Sequence, residues 1–255
     1  MLIYGIPDRG TMIKPKKLNY GDKVAVVAPS SATDLKSVEN GELKLRSLGL
    51  NPVMFPTCYT NYGHLSASDE ERARDINDSF RDESIKGIIC LRGGYGTTRI
   101  LNMLDYEMIK RNSKVFMGFS DITSLHTAFN QICGMVTFHG PMAASNFAEV
   151  KNGNVSFEPY TYDNLKKNIF TNEPVGLYKN PAGEELISYK GGIAEGIIAG
   201  GNLMLLVSTL GSKYEIDTKG KILFIEEIGE PIYAIDRMLT SLSLAGKFKD
   251  CEAII

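Results

Sequence analysis

Three short stretches carry groups suited to acyl-transfer chemistry. In Gly118-Phe119-Ser120-Asp121, the apolar run Val115 to Met117 gives way at once to the helical spacing of Ile122, Leu125, Phe129 and Ile132. A serine at such a strand-to-helix corner has its hydroxyl pushed out at the top of a sheet, and the helix start behind it offers unpaired N–H groups. An exposed nucleophile and donors for an oxyanion are what acyl transfer needs. The usual elbow reads G-x-S-x-G, and Ile122 stands at its last position. A plain helix cap, which Ser and Asp make well, is the other reading of these residues.

The second stretch is Arg92-Gly93-Gly94-Tyr95-Gly96. Glycines there let backbone N–H groups approach a reacting carbonyl, or simply make a tight turn. A dinucleotide fingerprint is excluded: Arg99 takes the place of the third glycine, and Lys114-Val115-Phe116 stands where a ribose-binding acid is needed. The third stretch is Glu226-Glu227, closing the strand Lys221 to Glu226. A carboxylate at the C-terminal end of a strand lies where doubly wound folds keep their sites, although a solvated strand end reads the same. Serine catalysis also wants a base, usually histidine. The sequence holds His64, His126 and His139. His64 falls in a loop, His126 is carried away from Ser120 along its helix, and His139 ends a strand before Gly140-Pro141, where a ring nitrogen could tie down the turn. None is expected within reach of both Ser120 and Glu226.

These residues must be held by an α/β scaffold. Strands are expected at Lys23–Ala28, Asn51–Phe55, Gly87–Leu91, around Val115–Met117 and at Met135–His139. Helices lie between them: Leu35–Leu48, one after the Ser68-x-x-Glu71 capping box, and one after each of the glycine turn and Ser120. This alternation predicts a doubly wound, mostly parallel sheet. Residues 145–160 read as loop and Tyr162–Phe170 as a short helix. Beyond them, short strands are expected at Leu186–Tyr189 and Ala194–Ala199, helices at Asn202–Leu210 and Pro231–Ala245, and the strand at Lys221–Glu226. The organisation is therefore a leader over 1–17, an α/β nucleophile domain over 18–170 and a strand-rich second domain over 171–255. Residues 251–255 read as the first half of an apolar strand, so that domain is expected to continue past Ile255.

Composition excludes several classes. A chain of 255 residues that is 43% hydrophobic, with a net charge of −2, has no electrostatic footprint for nucleic acid. No run reaches the length of a membrane span, and residues 1–11 lack the apolar core of a signal peptide. Cys58, Cys90, Cys133 and Cys251 are scattered, without C-x-x-C or a His/Cys cluster, which argues against disulfides and metal and fits the cytoplasm. No cofactor is expected.

Taken together, Pro29-Ser30-Ser31, Arg92-Gly93-Gly94-Tyr95-Gly96, Gly118-Phe119-Ser120-Asp121, Phe138-His139-Gly140-Pro141 and Phe224-Ile225-Glu226-Glu227 through Ile235-Asp236-Arg237 resemble the LD-carboxypeptidases. These are serine peptidases that include the microcin C immunity hydrolases, and the similarity runs in order from about residue 18 to 255. The resemblance implies an N-terminal α/β sandwich, a strand-rich C-terminal domain and a Ser-Glu-His triad spanning both. It places the nucleophile on Ser120, the triad carboxylate on Glu226 and the oxyanion hole on the backbone N–H groups of Asp121 and Gly94. It places the histidine beyond residue 255. The glycine turn is more similar to the murein-recycling branch, which removes the terminal D-alanine from cytoplasmic murein tetrapeptides. Arg92, Tyr95 and Arg237 are candidates for holding that peptide, with Arg99 a further cation. The alternatives are a microcin-type amide hydrolase and a catalytically dead peptide-binding fragment; a homodimer is left open.

Overall fold

The structure, a computed structural model, describes residues 12–181 and 183–255; residues 1–11 of the expected leader lie outside it. In chain order the first layer comprises β1 (Lys23–Val27), α1 (Leu35–Ser47), β2 (Asn51–Met54), α2 (Asp69–Arg81), β3 (Ile85–Cys90), α3 (Thr97–Ile100), α4 (Tyr106–Arg111), β4 (Val115–Gly118), α5 (Thr123–Ile132) and β5 (Phe138–His139). The strands form one sheet in the order β2-β1-β3-β4-β5, every pair parallel. Alternate residues go to opposite faces: Val24 and Val26 pack with Val38, Leu45 and Leu165, while Ala25 and Val27 pack with Ile76, Phe80 and Phe129. Burial on both faces is why the central strands β1, β3 and β4 read as apolar runs, whereas β2 at the edge leaves Asn51 and Val53 exposed. The order reverses between β1 and β3, the position where doubly wound sheets form a crevice at the C-terminal edge, and the loops leaving those two strands meet there, with Ser31 N donating to Gly93 O at 3.4 Å. The capping box starts α2 as the sequence indicates, with Glu71 N donating to Ser68 Oγ and Ser68 N to Glu71 Oε2 at 3.1 Å.

Two local expectations fail. Residues 145–160 contain a hairpin of β6 (Ala148–Lys151) and β7 (Asn154–Phe157). Its turn, Asn152-Gly153, has φ of 49° and 79°, the left-handed pair that an Asn-Gly dipeptide supplies. The strand expected at Leu186–Tyr189 is absent, and Leu186, Ile187 and Tyr189 are exposed. Three apolar residues with no sheet to join do not make a strand.

After α6 (Pro159–Ile169) come β8 (Ile197–Asn202), α7 (Leu203–Ser208), β9 (Lys221–Glu226), α8 (Ile232–Leu244) and β10 (Ala253–Ile254). They form a separate parallel sheet, β10-β9-β8, with its own core of Leu203, Leu206, Ile216, Leu223, Met238 and Leu242. It is fastened to the first layer by Tyr214 Oη donating to Leu101 O at 2.8 Å, by Gln131 Nε2 donating to Glu215 O at 3.0 Å, and by Asn202 N donating to Thr123 Oγ1 at 2.9 Å. Gly201 is required at this last contact, because with φ of +141° a Cβ there would lie 2.5 Å from Thr123 Oγ1. No helix among the described residues is long and apolar enough to cross a membrane.

Candidate active site

The end of β4 makes the corner. A Cβ on Gly118 would meet Ile122 Cγ1 at 2.9 Å, so only glycine lets the chain fold back so tightly. The bend falls on Ser120, whose φ is 62°. A left-handed serine is strained, and such strain persists only where the surroundings over-determine it. Ser120 does not cap α5: its hydroxyl makes no hydrogen bond among the described residues, and the Asp121 carboxylate turns to Ser30 and Thr97 instead of its own helix.

The glycine turn lies against this corner. A Cβ on Gly93 would sit 3.2 Å from Ser120 Oγ and 3.5 Å from Asp121 N. Gly94, at φ +116°, has no room for a Cβ beside Ser31 Oγ, which also accepts from Tyr95 N at 3.2 Å. Neither Gly94 N nor Asp121 N has an acceptor among the described residues. The Ser120 hydroxyl and the unpaired Asp121 N thus both lie against Gly93, with the unpaired Gly94 N next in the same turn. Gly94→Ala is expected to cost about 1–3 kcal/mol of stability through strain and overlap. With Gly94 N–H as the oxyanion donor that the family resemblance implies, it is also expected to lower turnover by roughly 10²-fold. Thermal denaturation and steady-state kinetics would check both.

Glu226 arrives from the second sheet. It is paired in register with Asn202, whose N–H holds Thr123, three positions past Ser120. The two adjacent glutamates have separate fates. Glu227 is committed: Oε1 accepts from Asn202 Nδ2 at 3.1 Å and Ile228 N at 2.9 Å, and Oε2 from Met204 N at 3.0 Å. Glu226 Oε1 is buried with no partner. Burial raises the Glu226 carboxyl above its ordinary value, the charge of Glu227 adds to the rise, and the Asn202 amide offsets part of it.

No histidine among the described residues is hydrogen-bonded to Ser120 or Glu226. His126 does not point away from the corner; its Nε2 donates to Gly118 O at 2.9 Å, and burial pushes its pKa down to about 4. His139 does not tie down the following turn, because Gly140 N bonds Gly118 O directly. Its ring packs 5.1 Å from Phe224 and 6.1 Å from both Phe119 and His126, and burial, with the His126 charge, lowers its pKa to about 3. Both rings are therefore neutral at neutral pH. The unfolded chain takes up their protons near pH 6.5 and the folded chain only near 4 and 3, so their contribution to stability is lost as pH falls through that window. Each is expected to remove about 1.4 kcal/mol per pH unit below its unfolded value. Denaturant titrations of His126→Phe and His139→Phe between pH 4 and 7 should show a flatter acid limb than the parent.

The remaining candidates are scattered. Arg92 is exposed beside the glycine turn, with Nη1 donating to Ala32 O at 2.9 Å. Tyr95 is exposed on the turn, its ring 5.6 Å from that of His64, which brings His64 to the rim of the crevice. Arg99 is paired with Asp69, Nη2 to Oδ2 at 2.8 Å. Arg237 lies exposed on α8, 5.5 Å above the Tyr233 ring, with no contact to Ser120 or Glu226 among those described. Sequence reasoning missed Arg72, which is fully buried beneath the glycine turn and donates to Gly96 O at 2.9 Å. An arginine on a helix with an acid three positions before it reads as surface; no pattern in the chain signals its burial. Among the described residues no group of His, Cys, Asp and Glu could hold a metal ion.

A parallel sheet of this order, bearing a strained serine and joined at that corner to a second parallel sheet ending in a carboxylate, has the build of a serine-type carboxypeptidase. The chain belongs to the LD-carboxypeptidase family, whose N-terminal domain matches residues 24–140 and whose C-terminal domain matches residues 195–255. It is 42% identical over 242 residues to the probable murein peptide carboxypeptidase of Bacillus subtilis, covering 95% of this chain and 73% of that protein. A putative carboxypeptidase of Streptomyces coelicolor is 36% identical over 92% of this chain and 74% of its own length. Among solved structures, the MccF-like protein of Bacillus anthracis superposes with a TM-score of 0.83 at 29% identity, over 95% of this chain and 79% of that one. The muramoyltetrapeptide carboxypeptidase of Oxalobacter formigenes gives 0.74 at 28% identity, over 91% and 75%.

Proposed function

We propose that this carboxypeptidase hydrolyses the L,D-peptide bond to the terminal D-alanine of murein tetrapeptides in the cytoplasm. The observation that carries the chemistry is the left-handed Ser120, whose hydroxyl lies, like Asp121 N, against Gly93. Ser120 Oγ attacks the carbonyl carbon, and the N–H groups of Asp121 and Gly94 receive the oxyanion. The histidine that the family resemblance implies for the triad takes the serine proton and returns it to the departing amine of D-alanine. Glu226 orients that imidazole with its unpartnered oxygen. Water then releases the acyl-enzyme by the reverse proton path. Arg92, exposed beside the glycine turn, is the cation nearest in sequence to the site for the substrate's terminal carboxylate. The choice of murein peptide rests on the 42% identical relative. Four free cysteines, three of them buried, suit a reducing compartment.

The test is incubation of the complete protein with murein tetrapeptide, followed by mass spectrometry. Loss of one alanine supports the reading. An intact tetrapeptide, with cleavage of an aminoacyl sulfamoyl adenosine instead, would replace it by the microcin-type activity that the MccF-like neighbour brings into view.

A further inference from the structure

Two buried opposite charges grip the loops that shape the crevice. Arg72 on α2 is 0% exposed and Asp121 is 1% exposed. Arg72 Nη1 donates to Gly96 O at 2.9 Å and to Pro29 O, and its Nε donates to Ala67 O at 3.2 Å. Asp121 Oδ2 accepts from Thr97 N at 3.0 Å and from Ser30 Oγ at 2.6 Å. Gly96 O and Thr97 N belong to one peptide unit. That unit is held at its carbonyl by a cation and at its N–H by an anion, and charge-assisted hydrogen bonds of this kind are the strong ones. The same two charges also hold the loop after β1, at Pro29 O and Ser30 Oγ. Thr97 closes the network: its Oγ1 donates to Asp121 O at 2.5 Å and accepts from Ser124 Oγ at 2.7 Å. Burial pulls the Arg72 guanidinium below its ordinary value, and Asp69 and Asp121 work against that pull.

The turn needs such a grip. Gly94 and Gly96 have φ of +116° and +131°, and glycine by itself holds no preference for such a geometry. An oxyanion donor helps only when it is already aimed where charge develops. We propose that Arg72 and Asp121 are positioning residues: by locking the Gly96–Thr97 peptide they fix where Gly94 N–H points relative to Ser120 and Asp121 N–H. The inference rests on Ser120 being the nucleophile. Asp121 thereby has two separate duties, its N–H facing the substrate and its carboxylate holding the opposite half of the hole. The unpartnered, buried Asp121 Oδ1 fits a carboxylate placed for that geometry at some cost in stability.

The experiment compares Ser30→Ala, Asp121→Asn, Arg72→Lys and Ser120→Ala in the complete protein. Steady-state kinetics is read beside thermal midpoint and hydrogen exchange over residues 92–97. Ser30→Ala and Asp121→Asn are expected to lower kcat about tenfold with KM unchanged within about twofold, and to speed exchange in the turn. Ser30→Ala removes a single hydroxyl, so it decides the matter if Arg72→Lys does not fold. If Ser120→Ala is dead while Ser30→Ala and Asp121→Asn stay within twofold of the parent kcat, the clamp is overturned and the nucleophile stands. The clamp is likewise overturned if kcat and KM worsen together with no change in exchange. Retained turnover by Ser120→Ala overturns the nucleophile and the clamp with it.

Discussion

Ser120→Ala is expected to lower peptide hydrolysis by roughly 10⁴- to 10⁶-fold, leaving only the contribution of binding and the oxyanion donors. The fold should be unaffected, because Ser120 Oγ has no hydrogen bond to lose among the described residues and the alanine Cβ occupies the same place beside Gly93. The left-handed φ of 62° supplies a second, opposite readout. Glycine bears no steric penalty there, so Ser120→Gly should be equally inactive yet more stable than Ser120→Ala, by about 1 kcal/mol. Turnover within a few-fold of the parent would remove Ser120 from the mechanism. An alanine variant as stable as the glycine variant would show that the corner carries no strain.

What the sequence made legible follows the reach of each interaction. The central strands β1, β3 and β4 could be read because burial on both faces leaves apolar runs, and α2 because Ser68 and Glu71 mark a helix start within four residues. The corner at Ser120 was legible as an abrupt change of period. The Asn152-Gly153 hairpin carried a signal that short polar strands hid, and the apolar Leu186–Tyr189 stretch imitated a strand without a neighbour to pair with. The relation between residues far apart in the chain was not legible. Nothing local shows that Arg72 is buried, that Ser30 meets Asp121, or that His126 folds back onto Gly118. Those contacts come from loops of separate strands converging at one edge. The separate fates of Glu226 and Glu227 are of the same kind, because Met204 N and Asn202 Nδ2 are the groups that commit one and leave the other.

Glu226→Gln should therefore lose activity and gain stability together. In the proposed mechanism, an amide in place of the Glu226 carboxylate no longer stabilises the imidazolium that forms during proton transfer and can favour the wrong tautomer, an effect worth roughly 10³- to 10⁴-fold in kcat. Stability moves the other way. Burial first, and then the charge of Glu227, raise the Glu226 carboxyl above 4.5, so the folded chain holds this proton to higher pH than the unfolded chain does. The folded state then binds more protons through that interval, and its stability falls as pH rises from about 4.5 through the raised value. Glutamine does not ionise and escapes that loss. Denaturant titration should show Glu226→Gln more stable than the parent at pH 7, with the difference closing toward pH 4. Glu227→Gln should behave inversely. Its single remaining carbonyl oxygen cannot serve Asn202 Nδ2, Ile228 N and Met204 N together, so stability drops at neutral pH while kcat changes far less. A Glu227→Gln enzyme that is dead beside an active Glu226→Gln would exchange the two assignments.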